Sequence, residues 1–173
     1  KVGKYTWRRL KAQTPLVAAA RNGNFEGGKL LITAGAKVKF HHRHNESPII
    51  AAAESGHLEF VKFLLKKGAE LDESSNSWGS PLNAAARGGH TKVVDFLISE
   101  GAPLNEQTNG QGSALNAAAR HGHLDILKFL LAKGASIDAQ TNGQGSALNA
   151  AARHGHLDIV QFLLEKGANI DQQ

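Results

Sequence analysis

The sequence predicts an all-α solenoid, a stack of helix–turn–helix units joined by projecting β-turns. Three observations carry that expectation. The first is self-similarity at an interval of 33 residues: Thr14, Ser47, Ser80, Ser113 and Ser146 fall in register and open the blocks TPLVAAA, SPIIAAA, SPLNAAA, SALNAAA and SALNAAA. A fixed interval of this length marks repeat architectures, in which one unit cannot bury its apolar face alone and stacking completes the core. The second is punctuation at the same interval by Gly23, Gly56, Gly89, Gly122 and Gly155. The third is a helical stripe after each of these glycines, such as LDILKFLLAKGA.

Each element has a local cause. The Thr or Ser hydroxyl can cap a short first helix, and Pro15, Pro48 and Pro81 bring helical φ to a position whose N–H would be orphaned anyway. The register glycines can take the left-handed conformation that ends this helix. In the second helix Leu124, Leu127 and Leu131, with Ile126 and Leu130 beside them, form the apolar stripe, and Gly134 stops it. The rest of the unit, such as ASIDAQTNGQG, has the Asn-Gly chemistry of a turn. The expected organisation is a basic lead-in over 1–13, then units at 14–46, 47–79, 80–112, 113–145 and a truncated one at 146–173. The first unit is atypical, because Gly27-Gly28 falls in its second helix, where glycine destabilises.

Composition narrows the function. No apolar run approaches the roughly 18 residues of a membrane span, and no signal-peptide pattern opens the chain. A soluble protein of the cytoplasm, or of the nucleus, is expected. The absence of cysteine removes disulfides, thiolate zinc sites and cysteine nucleophiles together. With no methionine even at position 1, and with the chain stopping inside a turn at Gln173, further repeats or another domain are expected outside it. The net charge of +5 is uneven: residues 1–46 hold ten Lys and Arg against two acidic residues, and residues 47–173 hold ten against thirteen. The basic character belongs to the N-terminal end and describes a local patch.

The in-register blocks resemble the ankyrin repeat, whose unit has this length and a T-P-L-H-x-A start. The resemblance covers residues 14–173 in five copies. The family's His after T-P-L is replaced by Val17, Ile50, Asn83, Asn116 and Asn149, with Asn in the last three units able to supply part of the missing link. The GSALNAAA form also looks like the ankyrin variant of fungal NACHT-type signalling receptors. The resemblance implies that His57, His90, His123 and His156 stand at the family's G-H position, serving the turn between the two helices.

That settles the most enzyme-like motif. HGHLD, at His121–Asp125 and His154–Asp158, offers two imidazoles and a carboxylate, all zinc-ligand types. One imidazole of each copy is a repeat position, and the extra His121 and His154 beside a helix-ending Gly read as solvated. Other catalytic motifs fail on their missing parts. His57-Leu58-Glu59 matches the H-x-E of zinc deaminases without their cysteines, and Gly143-Gln144-Gly145 lacks a third glycine and a Walker lysine. The register serines are caps, so no Ser–His–Asp set assembles. HHRH at 41–44 can bind a divalent metal or titrate near neutrality, and the plainer reading is a solvated basic loop. No cofactor and no resident metal is expected.

A stack of such units leaves a concave surface made by the short helices and the turns. In the family, partners are contacted by the turn tips and by the two residues before the helix-ending Gly. Carried onto this chain, the partner-binding residues are Arg21, Arg43, His44, Asn76, Trp78, Arg87, Asn109, Arg120, His121, Asn142, Arg153 and His154. Arg21, Arg87, Arg120 and Arg153 share one register position, broken by Glu54. Guanidinium groups in a column suit carboxylates or phosphates. Residues 107–126 and 140–159 are identical, which packing does not require; internal duplication or a ligand with its own repeat accounts for it. The expected function is a non-catalytic, monomeric protein-interaction module for a partly acidic partner. The alternative is nucleic-acid binding at the basic end, where KVGKYTWRRLKAQ interleaves cations and aromatics; the duller role for Tyr5, Trp7 and Leu10 is to cover the first repeat.

Overall fold

A computed structural model describes residues 14–39, 46–74, 79–108, 112–140 and 145–171. Among the described residues there are ten helices in five pairs: α1 (Pro15–Arg21) with α2 (Phe25–Thr33), α3 (Pro48–Glu54) with α4 (Leu58–Lys66), α5 (Pro81–Gly88) with α6 (Thr91–Ser99), α7 (Ala114–His121) with α8 (Leu124–Ala132), and α9 (Ala147–His154) with α10 (Leu157–Glu165). The expected caps form. The hydroxyls of Thr14, Ser47, Ser80, Ser113 and Ser146 accept from the amides of Val17, Ile50, Asn83, Asn116 and Asn149 at 3.3–3.4 Å. All five helix-ending glycines of the first helices have left-handed φ of 67–80°.

Side-chain size sets the architecture. The alanines of α1, α3, α5, α7 and α9 let these inner helices lie directly against one another along the stack, whereas the outer helices α2, α4, α6, α8 and α10 touch only sparsely. A narrow inner row beside a wide outer row bends the stack towards the inner side. The core is continuous from Leu16 to Ala168. In α8 its deepest members are Ile126, Leu127 and Leu130, with Leu124 and Leu131 only half buried. The stripe is therefore rotated from the sequence expectation, because an outer helix packs against its own inner helix and against both flanking units. Full burial of one such leucine stabilises by about 1.5–3 kcal/mol, and Leu127→Ala should cost about 2–5 kcal/mol.

The glycine pair of the first unit has a positive role. Both residues lie inside α2, and a Cβ on Gly28 would overlap the Phe60 ring, which packs edge-on against Phe25 with centroids 5.8 Å apart. Gly28 is the socket for that ring. After α6, Thr108 and Gly112 exchange backbone hydrogen bonds of 3.1 and 3.3 Å and close the base of a turn. Asn83 and Asn116, both 2% exposed, carry the link expected of them: Asn83 Nδ2 donates to Thr108 Oγ1 at 3.0 Å and to Gly112 O at 2.6 Å, and Asn116 Nδ2 donates to Gly145 O at 3.1 Å. The next layer of connections follows the same period, with Ser136 N donating to Asn105 Oδ1 and Asn169 N to Asp138 Oδ1, each 3.0 Å.

Candidate functional site

Every inner helix presents its last turn at the same level of the stack, because each is terminated by a left-handed glycine in register. The histidines that follow fix that level. His57, His90, His123 and His156 stand at the N-caps of α4, α6, α8 and α10, but their side chains cap nothing there. Instead each Nε2 meets the carbonyl of the preceding unit's Arg21, Glu54, Arg87 or Arg120 at 3.0–3.1 Å. With a carbonyl as acceptor, Nε2 carries the proton and donates, satisfying a carbonyl that the helix end leaves open. The resemblance implied a role in the turn between the two helices of one unit; the structure adds a bridge to the unit before. It also explains the glycines further: a Cβ on Gly23, Gly56, Gly89 or Gly122 would stand 2.5–2.7 Å from the imidazole of the next unit.

The residue whose carbonyl is held in this way is the residue of the arginine column. Glu54 joins the column's N-terminal half. Its carboxylate accepts from Arg21 Nη1 at 3.0 Å and from Arg87 Nε at 3.2 Å, and Arg21 also pairs with Glu46. Burial lowers the Arg21 pKa, but the hydrogen bonds and charges of Glu46 and Glu54 prevail and raise it. The signal was present in the sequence, since Glu54 lies one repeat from each arginine.

The C-terminal half differs. Among the described residues, neither Arg120 nor Arg153 forms an ion pair, and Arg120 Nε is buried without a partner. The Arg120 pKa is lowered, first by burial and then by repulsion from Arg153 and Arg87. His121 lies beside it with its ring parallel to that of His123, centroids 6.5 Å apart. Its pKa is lowered too: loss of solvation comes first, then the charges of Arg87, Arg120, His123 and His154. His154, an exposed residue, donates from Nδ1 to Ala150 O at 3.0 Å.

Six of the twelve sequence-predicted binding residues are therefore placed, all at the ends of inner helices: Arg21, Arg87, Arg120, His121, Arg153 and His154. Arg43, His44, Asn76, Trp78, Asn109 and Asn142 lie outside the described residues, as do the HHRH cluster and the lead-in with Tyr5, Trp7 and Leu10. Among the described residues no group of three or more His, Cys, Asp or Glu is arranged to hold a metal ion. No described helix is long and apolar enough to cross a membrane.

Paired helices stacked in one direction, each tied to the next by the same side chains, define an all-α repeat solenoid, a class of binding scaffold. A family model described as ankyrin repeats (3 copies) matches residues 82–173, and one described as ankyrin repeats (many copies) matches residues 49–98. The chain belongs to the ankyrin-repeat family, and the pair α1–α2 extends the same unit ahead of the matched residues. Proteins of this family generally mediate protein–protein interaction and are typically non-catalytic. A comparison with curated proteins finds no match.

Proposed function

We propose that this chain is a monomeric, non-catalytic interaction module that binds a partly acidic protein partner along its concave inner face. The observation that carries this reading is the run Arg87, Arg120 and Arg153 at the ends of successive inner helices, with Glu54 as the only carboxylate in the same register. Cations held by rigid helix ends lose little freedom when an anion arrives, which favours binding. The turn residues Arg43, His44, Asn76, Trp78, Asn109 and Asn142 flank that face in sequence register and extend the proposed surface; Trp78 has the chemistry of an interface anchor. The GSALNAAA units favour membership of the subgroup found in fungal NACHT-type signalling receptors, and the lack of cysteine suits the cytoplasm or nucleus.

The second reading, nucleic-acid binding at the basic end, rests on the ten cations within residues 1–46. One experiment separates the two. The chain is immobilised and exposed to cell lysate with and without nuclease, beside a variant carrying Arg87→Ala, Arg120→Ala and Arg153→Ala. Nuclease-resistant protein capture that the variant loses is the expected result. Capture abolished by nuclease, and steeply weakened by salt, overturns it in favour of the basic end.

A further inference from the structure

The column is chemically divided, and its bare half is duplicated. Glu46 and Glu54 neutralise Arg21 and Arg87 from within the fold. Among the described residues Arg120 and Arg153 face no such carboxylate, and each is followed by a histidine inside the identical segments 107–126 and 140–159. Two identical rungs therefore stand side by side on α7 and α9, which pack directly against each other. Helices in direct contact lie roughly 8–10 Å apart. Two anionic groups at that spacing can meet both guanidinium groups.

We infer that Arg120 with His121 and Arg153 with His154 form a two-rung site for a protein segment that carries two anionic side chains, carboxylate or phosphorylated, about 9 Å apart on one face. This deepens the proposed function and rests on it. The spacing selects a conformation. A polyproline II segment rises about 3.1 Å per residue with three residues per turn, so residues i and i+3 share a face about 9.3 Å apart. An extended strand turns its i+3 side chain to the opposite face, and its same-face i+2 and i+4 side chains stand about 6.6 and 13 Å away, on either side of the rung spacing. Each arginine offers a planar fork to one anion, and the exposed His154 stands beside Arg153 on the outer rung.

The same cluster makes the site sensitive to pH. The charged and titratable groups around His121 are Arg87 from α5, Arg120 on its own helix, His123 at the start of α8 and His154 on α9, and all of them resist its protonation. An anion seated on each rung offsets that repulsion, so binding takes up a proton and strengthens as the pH falls below neutrality.

The test is a titration of the full chain followed through its arginine Nε–Hε signals. The probes are the blocked peptides EPPEPP, its phosphoserine counterpart with both Glu positions replaced by phosphoserine, and the single-anion control EPPQPP. Saturable shifts at Arg120 and Arg153, with at least about tenfold weaker binding of EPPQPP, are expected from two linked contacts. Arg120→Gln with Arg153→Gln should abolish the preference, whereas Lys66→Gln with Lys92→Gln, which removes the same charge from the outer helices, should keep it. Tighter binding of the phosphoserine peptide assigns the rungs to phosphorylated segments, and equal or tighter binding of EPPEPP to acidic ones. Equal affinity for the one- and two-anion peptides, or shifts spread over all arginines, overturns the inference. So does an unrelated oligonucleotide that shifts the same signals more tightly than either peptide. Should the peptides fail while arginine-dependent, nuclease-resistant capture persists, the two-rung site falls and the interaction module stands.

Discussion

Replacing Glu54 by Gln tests whether the N-terminal half of the column is held together by charge. The carboxylate serves two arginines on flanking helices, at 3.0 and 3.2 Å. Gln keeps the shape and one acceptor oxygen, but its amide group turns donors towards the other guanidinium. The side chains of Glu54, Arg87 and Arg21 are 15%, 14% and 25% exposed. The expected loss therefore falls between an exposed pair, worth up to about 1 kcal/mol, and a fully buried one, about 3–5 kcal/mol. Losing the charge from one hydrogen bond and the whole of a second gives about 2 kcal/mol. For a chain of 173 residues that is a fall in Tm of about 4–8 °C. Thermal unfolding of E54Q, R87Q and the double variant supplies the assay. The double-mutant cycle should return a coupling of at least about 1 kcal/mol, shrinking in high salt. A coupling below about 0.3 kcal/mol would sink the reasoning, because the pair would then behave as an ordinary surface contact. Glu54→Gln should also tighten binding of an acidic peptide while it destabilises the fold, a pairing of opposite effects that a purely structural carboxylate does not produce.

Three further outcomes follow from the geometry. Gly122→Ala and Gly155→Ala introduce a Cβ at nearly the same φ, 78° and 76°, but only at Gly122 does it meet an imidazole, 2.7 Å away, so G155A should cost about 1 kcal/mol and G122A at least about 1 kcal/mol more, measured by urea unfolding. Asn116→Ala removes the Nδ2 donor to the Gly145 carbonyl and the Oδ1 acceptor of the Ser113 hydroxyl, now 2.6 Å apart; about 1–3 kcal/mol should be lost, and an unchanged denaturation midpoint would exclude the link between units. Burial, then the Asp72 charge, raises the Glu106 pKa against a hydrogen bond from Ser80. The folded state thus holds this proton to higher pH than the unfolded chain, and stability falls as pH rises from the ordinary carboxylate value through the raised one. Glu106→Gln should remove that slope and stabilise the protein at pH 7 by less than about 1 kcal/mol, with no gain at pH 4; a larger gain at pH 4 would reverse the sign.

The fold was legible because its determinants are local and recur. A capping hydroxyl, a proline at the first helical position and a glycine at the end act within a few residues, so Thr14, Pro15 and Gly23 could be assigned their roles from spacing alone. What spacing did not reveal lies between units. Gly28 reads as a weak point in a helix until Phe60 of the next unit is set against it. Glu54 reads as a break in an arginine column until the side chains are placed, whereupon it binds both neighbours. Likewise the histidines could be assigned to the start of the second helix, while their bond to the preceding unit depends on how the repeats stack. The proposed site is legible only in part for the same reason: register names the arginines, but which of them the fold itself neutralises is a matter of three-dimensional pairing.

The imidazole bridges set the step by which the stack comes apart when it is pulled. Each unit grips the end of the inner helix before it, never the one after, so Arg21, Glu54, Arg87 and Arg120 are each held by a ring belonging to the next unit. Tension applied at Asp171 first meets α10, whose Leu157 and Leu164 are exposed, and tears away a pair that holds its predecessor. That removes the clasp from α7 and brings the next pair to the same condition. Unravelling from that end should therefore proceed in equal steps, each releasing about 100 Å of chain. Tension applied at the other end breaks one bridge of the same kind, His57 to Arg21, for each pair it removes, so the step repeats from either side.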